Sequence, residues 1–538
     1  MILILSHFFL FLFIIFFHGY FFSKKILKKN ENQNFYEICV IGLVITLLFS
    51  QIINFLFPLN NILIILNLFL ICVYLLLNKK NFLQFLKFDK FIFSICLLIV
   101  ISNIYGSGFS DDIDHYHYGY ISNSDSNRFI WGNSYLNLLY GTSPTWLTFQ
   151  SYLNFNFSRL QDIHISNGLI LFFTLGLFLS ELKSKTNLVY YKPFLFSILM
   201  FILLKYTRLK EFGIDRPATL LFCFIIYYYF KYFLNNNNQL VPNFIVISLA
   251  SISIILIKIT YLPILFLPFL FLIKFKTELF NFDKRYFLFI IPTTIFLFKN
   301  ILGTGCLIFP LEKTCIEFIP WSNHAGAREL SFLAESFNKS WTSYSGNLSE
   351  ANYIKGFNWF SVWFERGKIE ILEITLTIII ILFFSLIVFN IQFKNFELHK
   401  KKLKLILFFI ISFIFISILI FLFKNPVLRM NHPMLISLMI LFLIIFCNFN
   451  IKKISKRFFY TIIIFGFIFN FSKNINRISK KEFINNPISE ISQKISIPEK
   501  KFLGDFEYYQ GWYGNIPIGN RDLSFKKHKK IFFFDVLF

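Results

Sequence analysis

Acidic side chains are scarce in this chain. It holds 29 Asp and Glu against 53 Lys and Arg in 538 residues, for a formal net charge of +24. Charge of either sign is sparse as well, at 15% of residues against about 25% in soluble proteins. Also missing are a Walker A loop, a G-x-S-x-G elbow, an H-E-x-x-H pair and a CxxC pair. Their absence removes the usual signatures of ATP hydrolysis, serine hydrolysis and zinc-dependent hydrolysis. What fills the chain instead is apolar: 56% hydrophobic residues, 80 of them Phe, and a mean hydropathy of +0.62. Apolar runs near the roughly 20 residues needed to cross a bilayer recur along it. The fold class this predicts is an all-α polytopic membrane protein.

The basic excess would point to nucleic acid in a soluble chain. Here Lys and Arg fall between apolar segments, where membrane topology places them. No interleaved basic-aromatic patch marks a nucleic-acid surface. Abundant Phe, Ile, Asn and Lys fit an AT-rich genome, so Phe-rich stripes read as lipid-facing or core bulk.

Apolar periodicity predicts fourteen helices, near 2–22, 37–57, 59–77, 91–105, 166–182, 193–205, 217–234, 243–257, 260–273, 286–299, 369–392, 405–423, 433–450 and 457–471. The first lacks a positive n-region and an A-x-A-like site, and Lys24, Lys25, Lys28 and Lys29 follow it. That pattern is a signal anchor with its start outside. Alternation then puts the Lys-rich loops 23–36, 78–90, 183–192, 274–285, 393–404 and 451–457 inside, in line with the positive-inside rule. The assignment hinges on 243–273, where Lys258 and Pro263 interrupt one apolar run. Two short helices preserve the rule, and a single kinked helix would invert one half of the chain. Outside lie 106–165, 206–216, 300–368, 424–432 and the tail 472–538. Loops as long as the first and third carry function or disorder. All seven Trp fall in these outer segments, as interfacial anchors or as platforms for sugar rings. The large loop holds Trp321, Trp341, Trp359 and Trp363 beside His324, Arg328, Glu329, Glu335, Glu365 and Arg366. The chain divides into an N-terminal helical part, 1–90, a module of helices and outer loops, 91–471, and the tail.

Three of the few acidic residues crowd together as Asp111, Asp112 and Asp114, next to His115 and His117, in SDDIDHYHYGY. Carboxylates this close cannot all ionise cheaply. One is expected to hold a raised pKa, or a cation such as Mg²⁺ or Mn²⁺ neutralises them. Either suits a general base, while an acidic turn capping a loop helix is the purely structural alternative. The two histidines lie two apart, cannot share a helix face, and read as packing or substrate-contact groups. A basic cluster, Lys205, Arg208, Lys210 and Arg216, stands on the side that should be poor in cations. It suits a phosphate, with Glu211 and Asp215 available to neutralise part of it. Lys424 and Arg429 sit in a short hairpin at the membrane edge, either functional or snorkelling, and Lys258 is a similar case. Cys306 and Cys315, in GCLIFPLEKTC, form a disulfide candidate in an oxidising compartment.

An acidic cluster in the first large outer loop, the helices beyond it and cations on the same side resemble GT-C glycosyltransferases. The stretches IDHYHYGYI, SPTWL, SNGLILF, IKITYLP and KNILGTGCLIFP are similar to a bacterial branch of that superfamily, over roughly 91–450. The resemblance implies a sugar transferred from a polyprenyl-phosphate donor to a cell-surface glycan or lipid acceptor, at the extracytoplasmic face of a bacterial inner membrane. It implies a catalytic carboxylate at Asp112, Asp111 or Asp114, and donor phosphate held by Arg208, Lys210, Arg216 or Arg429. The helices before 91 and the tail depart from the minimal pattern and read as additions. The rival readings are an O-antigen polymerase or ligase, which leans on outer-loop arginines, and a polysaccharide transporter or flippase.

Overall fold

The computed structural model describes residues 2–29, 33–83, 87–106, 112, 116–154, 163–184, 191–207, 213–233, 239–279, 283–389, 402–446, 456–480, 499–510, 518–519, 523, 526–531 and 534–538. The first part of the chain forms helices α1 (Ile2–Phe21), α2 (Phe35–Leu56), α3 (Asn61–Leu83), α4 (Lys90–Tyr105), α5 (Tyr118–Ser126), α6 (Thr145–Tyr152) and α7 (Ile163–Lys183). Next come α8 (Lys192–Lys205), α9 (Asp215–Phe233), α10 (Leu240–Ile257), α11 (Phe266–Lys274), α12 (Lys276–Leu279) and α13 (Phe287–Thr304). The last are α14 (His324–Asn338), α15 (Glu350–Tyr353), α16 (Phe360–Val388), α17 (Lys402–Phe423), α18 (His432–Phe446) and α19 (Lys456–Ser479).

Each of the fourteen expected segments is largely helical, but the count of fourteen spans does not carry over. Among the described residues, eight helices are long and apolar enough to cross a membrane: Ile4–Ile26, Phe35–Leu56, Asn61–Asn78, Ile165–Lys183, Leu240–Ile257, Lys284–Thr304, Phe360–Val388 and Leu428–Ile445. Lys90–Tyr105, Ile259–Lys274 and Leu407–Phe423 are apolar but shorter. Helix α8 has 14 residues. Helix α9 carries Tyr227, Tyr228, Tyr229, Lys231 and Tyr232, and α19 ends on Asn470, Lys473, Asn474 and Arg477. Helices α8 and α9 are buried along most of their length, so their composition answers to protein neighbours rather than to lipid.

The run 243–273 resolves as a hairpin. Lys258 leaves helical geometry (φ −153°, ψ 110°), a 3-10 segment Ile259–Leu265 containing Pro263 follows, and α11 and α12 fold back along α10. A kinked continuous helix could not make those contacts. The two-helix reading holds, and Lys258 stands at the turn.

Helices α1 and α2 approach most closely at two glycines. A Cβ on Gly42 would fall 1.9 Å from the Ile15 carbonyl oxygen, and one on Gly19 would fall 2.0 Å from that of Ile38. Small residues at such crossings let backbones meet, which is what drives helix association where the solvent is itself apolar. At the end of the bundle opposite the candidate site, buried charges tie α2, α7 and α9 together. Lys231 Nζ lies 2.9 Å from Glu37 Oε2 and 3.1 Å from Glu181 Oε1, and Tyr227 and Tyr232 donate to the same carboxylates. Each buried carboxylate thus has a cation and a hydroxyl, without which burial would cost several kcal/mol.

The tail departs from the all-α expectation. Strands β1 (Glu499–Leu503) and β2 (Phe506–Gln510) pair antiparallel, and β3 (Ile518–Gly519) joins β2 in parallel. A second hairpin pairs β4 (His528–Ile531) with β5 (Phe534–Leu537). Trp131 extends it: its N–H donates to Asp535 O, and Leu537 N–H donates to its carbonyl, both at 3.0 Å. Gly132 (φ 71°) leaves room for that approach, since a Cβ there would meet the Leu537 carbonyl oxygen at 2.1 Å. Phe506, Tyr508, Leu523 and Leu537 close one core with Tyr120, Ile130, Tyr135, Tyr140 and Leu147. The tail therefore rests on the 116–154 segment.

Gly42→Val is expected to destabilise the protein in detergent by roughly 2 kcal/mol, within the range for overpacked cores. Gly367→Val is the control, because its Cβ would meet only Ile371 at 3.9 Å. Equal melting temperatures for the two variants would remove the close-crossing argument.

Candidate functional site

The site forms where four sequence-distant segments meet: the stretch leading into α5, the first turn of α9, the break after α10, and the 424–432 hairpin. Asp215 opens α9, with Pro217 in the first turn, where a missing N–H costs nothing. Its carboxylate receives the Lys258 ammonium on Oδ1, and Arg429 Nε stands 3.4 Å from Oδ2. Burial alone would raise the Asp215 carboxyl; Lys258 and Arg429 outweigh it and hold the group below the usual carboxylate range. Burial pulls the Lys258 ammonium below the usual lysine value, and Asp215 restores only part of that. Two cations share one carboxylate, so the cluster keeps a net positive charge.

The 424–432 hairpin is held from several sides. Trp363 Nε1 donates to Pro426 O at 2.6 Å, Tyr261 Oη to Met430 O at 2.8 Å, and Asn431 Nδ2 to Val427 O at 2.8 Å. Glu335, on α14, spans Lys339 at 2.6 Å and Lys424 at 2.5 Å. These bonds fix the backbone around Arg429, whose side chain is half exposed. Among the described residues nothing accepts a hydrogen bond from its terminal guanidinium nitrogens.

Asp112, partly buried, joins this group electrostatically. Its charge acts on Tyr116, His117 and Lys258. His117 is buried, with its ring centroid 4.2 Å from that of Tyr116. Burial lowers the imidazole to about 4, against the opposing pull of Asp112 and Asp215, so it is neutral at pH 7. Burial likewise raises the Tyr116 hydroxyl. Arg216 lies with its guanidinium carbon 5.6 Å from the centre of the Tyr206 ring, and Tyr206 Oη pairs with His432 Nδ1 at 3.3 Å. Lys205, expected to share the phosphate role, is paired with the exposed Glu373 at 3.1 Å.

Of the residues singled out from the sequence, Asp112, His117, Arg216 and Arg429 are therefore brought to one end of the bundle. Asp111, Asp114, His115, Arg208 and Lys210 lie outside the described residues. Asp215, expected to neutralise its neighbours in the 205–216 cluster, is committed instead to Lys258 and Arg429. Sequence reasoning saw both partners but not the pairing, which spans 43 positions in one case and more than 200 in the other. Among the described residues no group of three His, Cys, Asp or Glu has the geometry of a metal site.

Among the described residues the tryptophans pack against neighbouring side chains or backbone. Trp146 and Trp359 are fully buried, with Nε1 groups donating to Asn167 Oδ1 at 3.1 Å and Gly356 O at 2.9 Å. Trp341, Tyr344, Tyr353, Trp359 and Trp363 form a single cluster beneath the hairpin. The disulfide candidate is present: Cys306 and Cys315 are bonded, closing the loop after α13.

Asp125, near the far end of α5, is buried, and among the described residues its Oδ1 has no hydrogen-bond partner. Burial pushes its carboxyl from 3.8 up to about 7. A raised folded-state pKa favours folding while the group is protonated, so that stability is full below about pH 4 and lost as pH rises through about 7. The limit is roughly 4 kcal/mol at 1.4 kcal/mol per unit. Asp125→Asn is expected to melt higher than the parent at pH 8.5 and to show a flatter stability profile from pH 5.5 upward. Parallel profiles for the two proteins would count against the buried-acid account.

No curated protein and no solved structure matches the chain. A family model does match, over residues 1–431, and so covers the helices and loops that build the site while stopping short of α19 and the β-rich tail. The chain belongs to the family described as a domain of unknown function, DUF8201.

Proposed function

We propose that this protein is a membrane glycosyltransferase that moves a sugar from a polyprenyl-phosphate donor to a cell-surface glycan or lipid acceptor. The observation that carries this reading is a carboxylate, Asp112, within electrostatic range of the Lys258–Asp215–Arg429 cluster at one end of an apolar helical bundle. A lipid phosphate leaving a sugar develops negative charge, and fixed cations in a site of low dielectric stabilise that charge most. Arg429 offers guanidinium donors that match phosphate oxygens in pairs. Lys258 supplies a second charge beside it. Arg216 stands further along the same end.

In this reading Asp112 takes the proton of an acceptor hydroxyl. The acceptor oxygen bonds to the anomeric carbon as the bond from that carbon to the phosphate oxygen breaks, with inversion. The lipid phosphate departs with the electron pair toward Arg429. Neutral His117, buried against Tyr116, carries no charge that would compete for the phosphate. The implied setting is the extracytoplasmic face of a bacterial inner membrane. A divalent cation at the 111–115 acidic run belongs to the same proposal, and the described residues supply Asp112 alone toward it.

The test is turnover of purified protein in liposomes with a panel of polyprenyl-phosphate sugars. Asp112→Asn is expected to lower kcat by roughly 100- to 10,000-fold, the usual share of general base catalysis, with donor KM little changed. Arg429→Ala is expected to raise donor KM. Full turnover by Asp112→Asn would remove the base assignment. Loss of turnover in Arg429→Ala with an active Asp112→Asn would favour the arginine-dependent polymerase or ligase chemistry instead.

A further inference from the structure

Helix α19 lies beyond residue 431, where the family match ends, yet it packs a polar stripe into the bundle. Asn470 and Asn474 are fully buried, and Arg477 is partly buried. The three recur at spacings of four and three, so they share one face of the helix. The stripe is tied within itself: Asn474 Nδ2 donates to Asn470 Oδ1 at 3.2 Å, and Arg477 Nη1 donates to Asn474 Oδ1 at 3.1 Å.

Its outer partners are the ends of two other helices. Asn470 Nδ2 donates to Leu203 O at 2.9 Å and to Tyr206 O at 3.2 Å. Arg477 Nη1 donates to Thr207 O, and Nη2 to Thr207 Oγ1 at 3.3 Å. The last carbonyls of a helix have no partner within it. Helix α19 therefore caps α8, with a cation at the end where a helix favours one. On the other side, Asn470 Oδ1 accepts from Asn103 Nδ2 at 2.8 Å, in the last turn of α4. Gly106 follows that turn, and a Cβ there would fall 2.5 Å from Asn474 Oδ1. Both captured ends lead to the candidate site. Asp112 comes shortly after Gly106, and Asp215 shortly after Thr207. Tyr206 makes the link by contact: its hydroxyl pairs with His432 Nδ1 at 3.3 Å, and its ring lies beside the guanidinium of Arg216, the neighbour of Asp215.

We propose that Asn470 and Arg477 are positioning residues of the candidate site. They hold the ends of α4 and α8, and through Tyr206 and Thr207 they set where Asp215 meets Lys258 and Arg429. The effect on turnover rests on the glycosyltransferase reading; the effect on the geometry of the cluster does not.

Arg477→Met, Asn470→Leu and Arg477→Lys test this in the full chain. The first readout needs no substrate: lysine acetylation by an N-hydroxysuccinimide ester in detergent, followed by peptide mass spectrometry. Lys258, held by Asp215, reports on the site. Lys231, held by Glu37 and Glu181, reports on the far end of the bundle. Arg477→Met and Asn470→Leu are expected to acetylate several-fold faster at Lys258 with Lys231 unchanged. Arg477→Lys keeps a donor for the Thr207 carbonyl and is expected to behave as the parent does. Equal acceleration at both lysines reduces the stripe to general stability, and no acceleration at Lys258 leaves it without hold on the site; either result overturns the proposal. In the liposome assay Arg477→Met is expected to lower kcat by roughly 100-fold, the cost of a misplacement of about 1 Å, and Arg477→Lys to restore it. An unchanged kcat in Arg477→Met beside an active parent overturns the proposal as well. A parent with no turnover removes the glycosyltransferase reading and leaves the acetylation result to decide this one.

Discussion

The bond between Asp215 and Lys258 organises the end of the molecule where the candidate site lies. A buried carboxylate that stays ionised is too costly to keep without a cation, so the first turn of α9 must stay within reach of the break after α10. That break is where Lys258 leaves the helix and the chain reverses into α11. Arg429 then closes on the other carboxylate oxygen and ties the 424–432 hairpin to the same point. One acid so fixes three segments that are far apart in sequence, and because two cations answer it, the point stays positive.

Around that point the polar groups are graded by what they must do. Those that hold the hairpin have defined partners: Trp363, Tyr261, Asn431 and Glu335 each bond at hydrogen-bond distance. Those facing Asp112 are not neutralised to the same degree, and among the described residues the terminal nitrogens of Arg429 meet no acceptor. At the far end of the bundle the Glu37–Lys231–Glu181 network is closed on itself. A closed network stabilises the packing of α2, α7 and α9, whereas an open, net-positive one can receive an anion. The tail adds a β-rich layer over the 116–154 segment, outside the region matched by the family model.

Much of the helical content was legible because apolar runs in a chain this poor in charge have few alternatives: backbone groups in lipid must be satisfied within the segment. The break at Lys258 was legible too, from a Lys and a Pro interrupting one run. The span count was not. Helix α8, with 14 residues, and the tyrosine-rich α9 are surrounded by other helices, and burial inside protein relaxes the demand for length and hydropathy that sequence counting assumes. The β tail was missed because strands such as FEYYQ and HKKI alternate over only four or five residues, and part of their apolar face is supplied by Tyr120, Tyr135 and Leu147 from the 116–154 segment.

Sequence alone determined the class of the protein and the candidate disulfide at Cys306 and Cys315. These follow from composition and local spacing, which act over a few residues. Tertiary structure decided which charges meet. It took Asp215 away from its neighbours in the 205–216 cluster and gave it to Lys258 and Arg429, and it set Lys205 against Glu373. Ion pairing in a buried setting depends on which ends of which helices converge, and that convergence is set by packing across hundreds of residues rather than by any local signal.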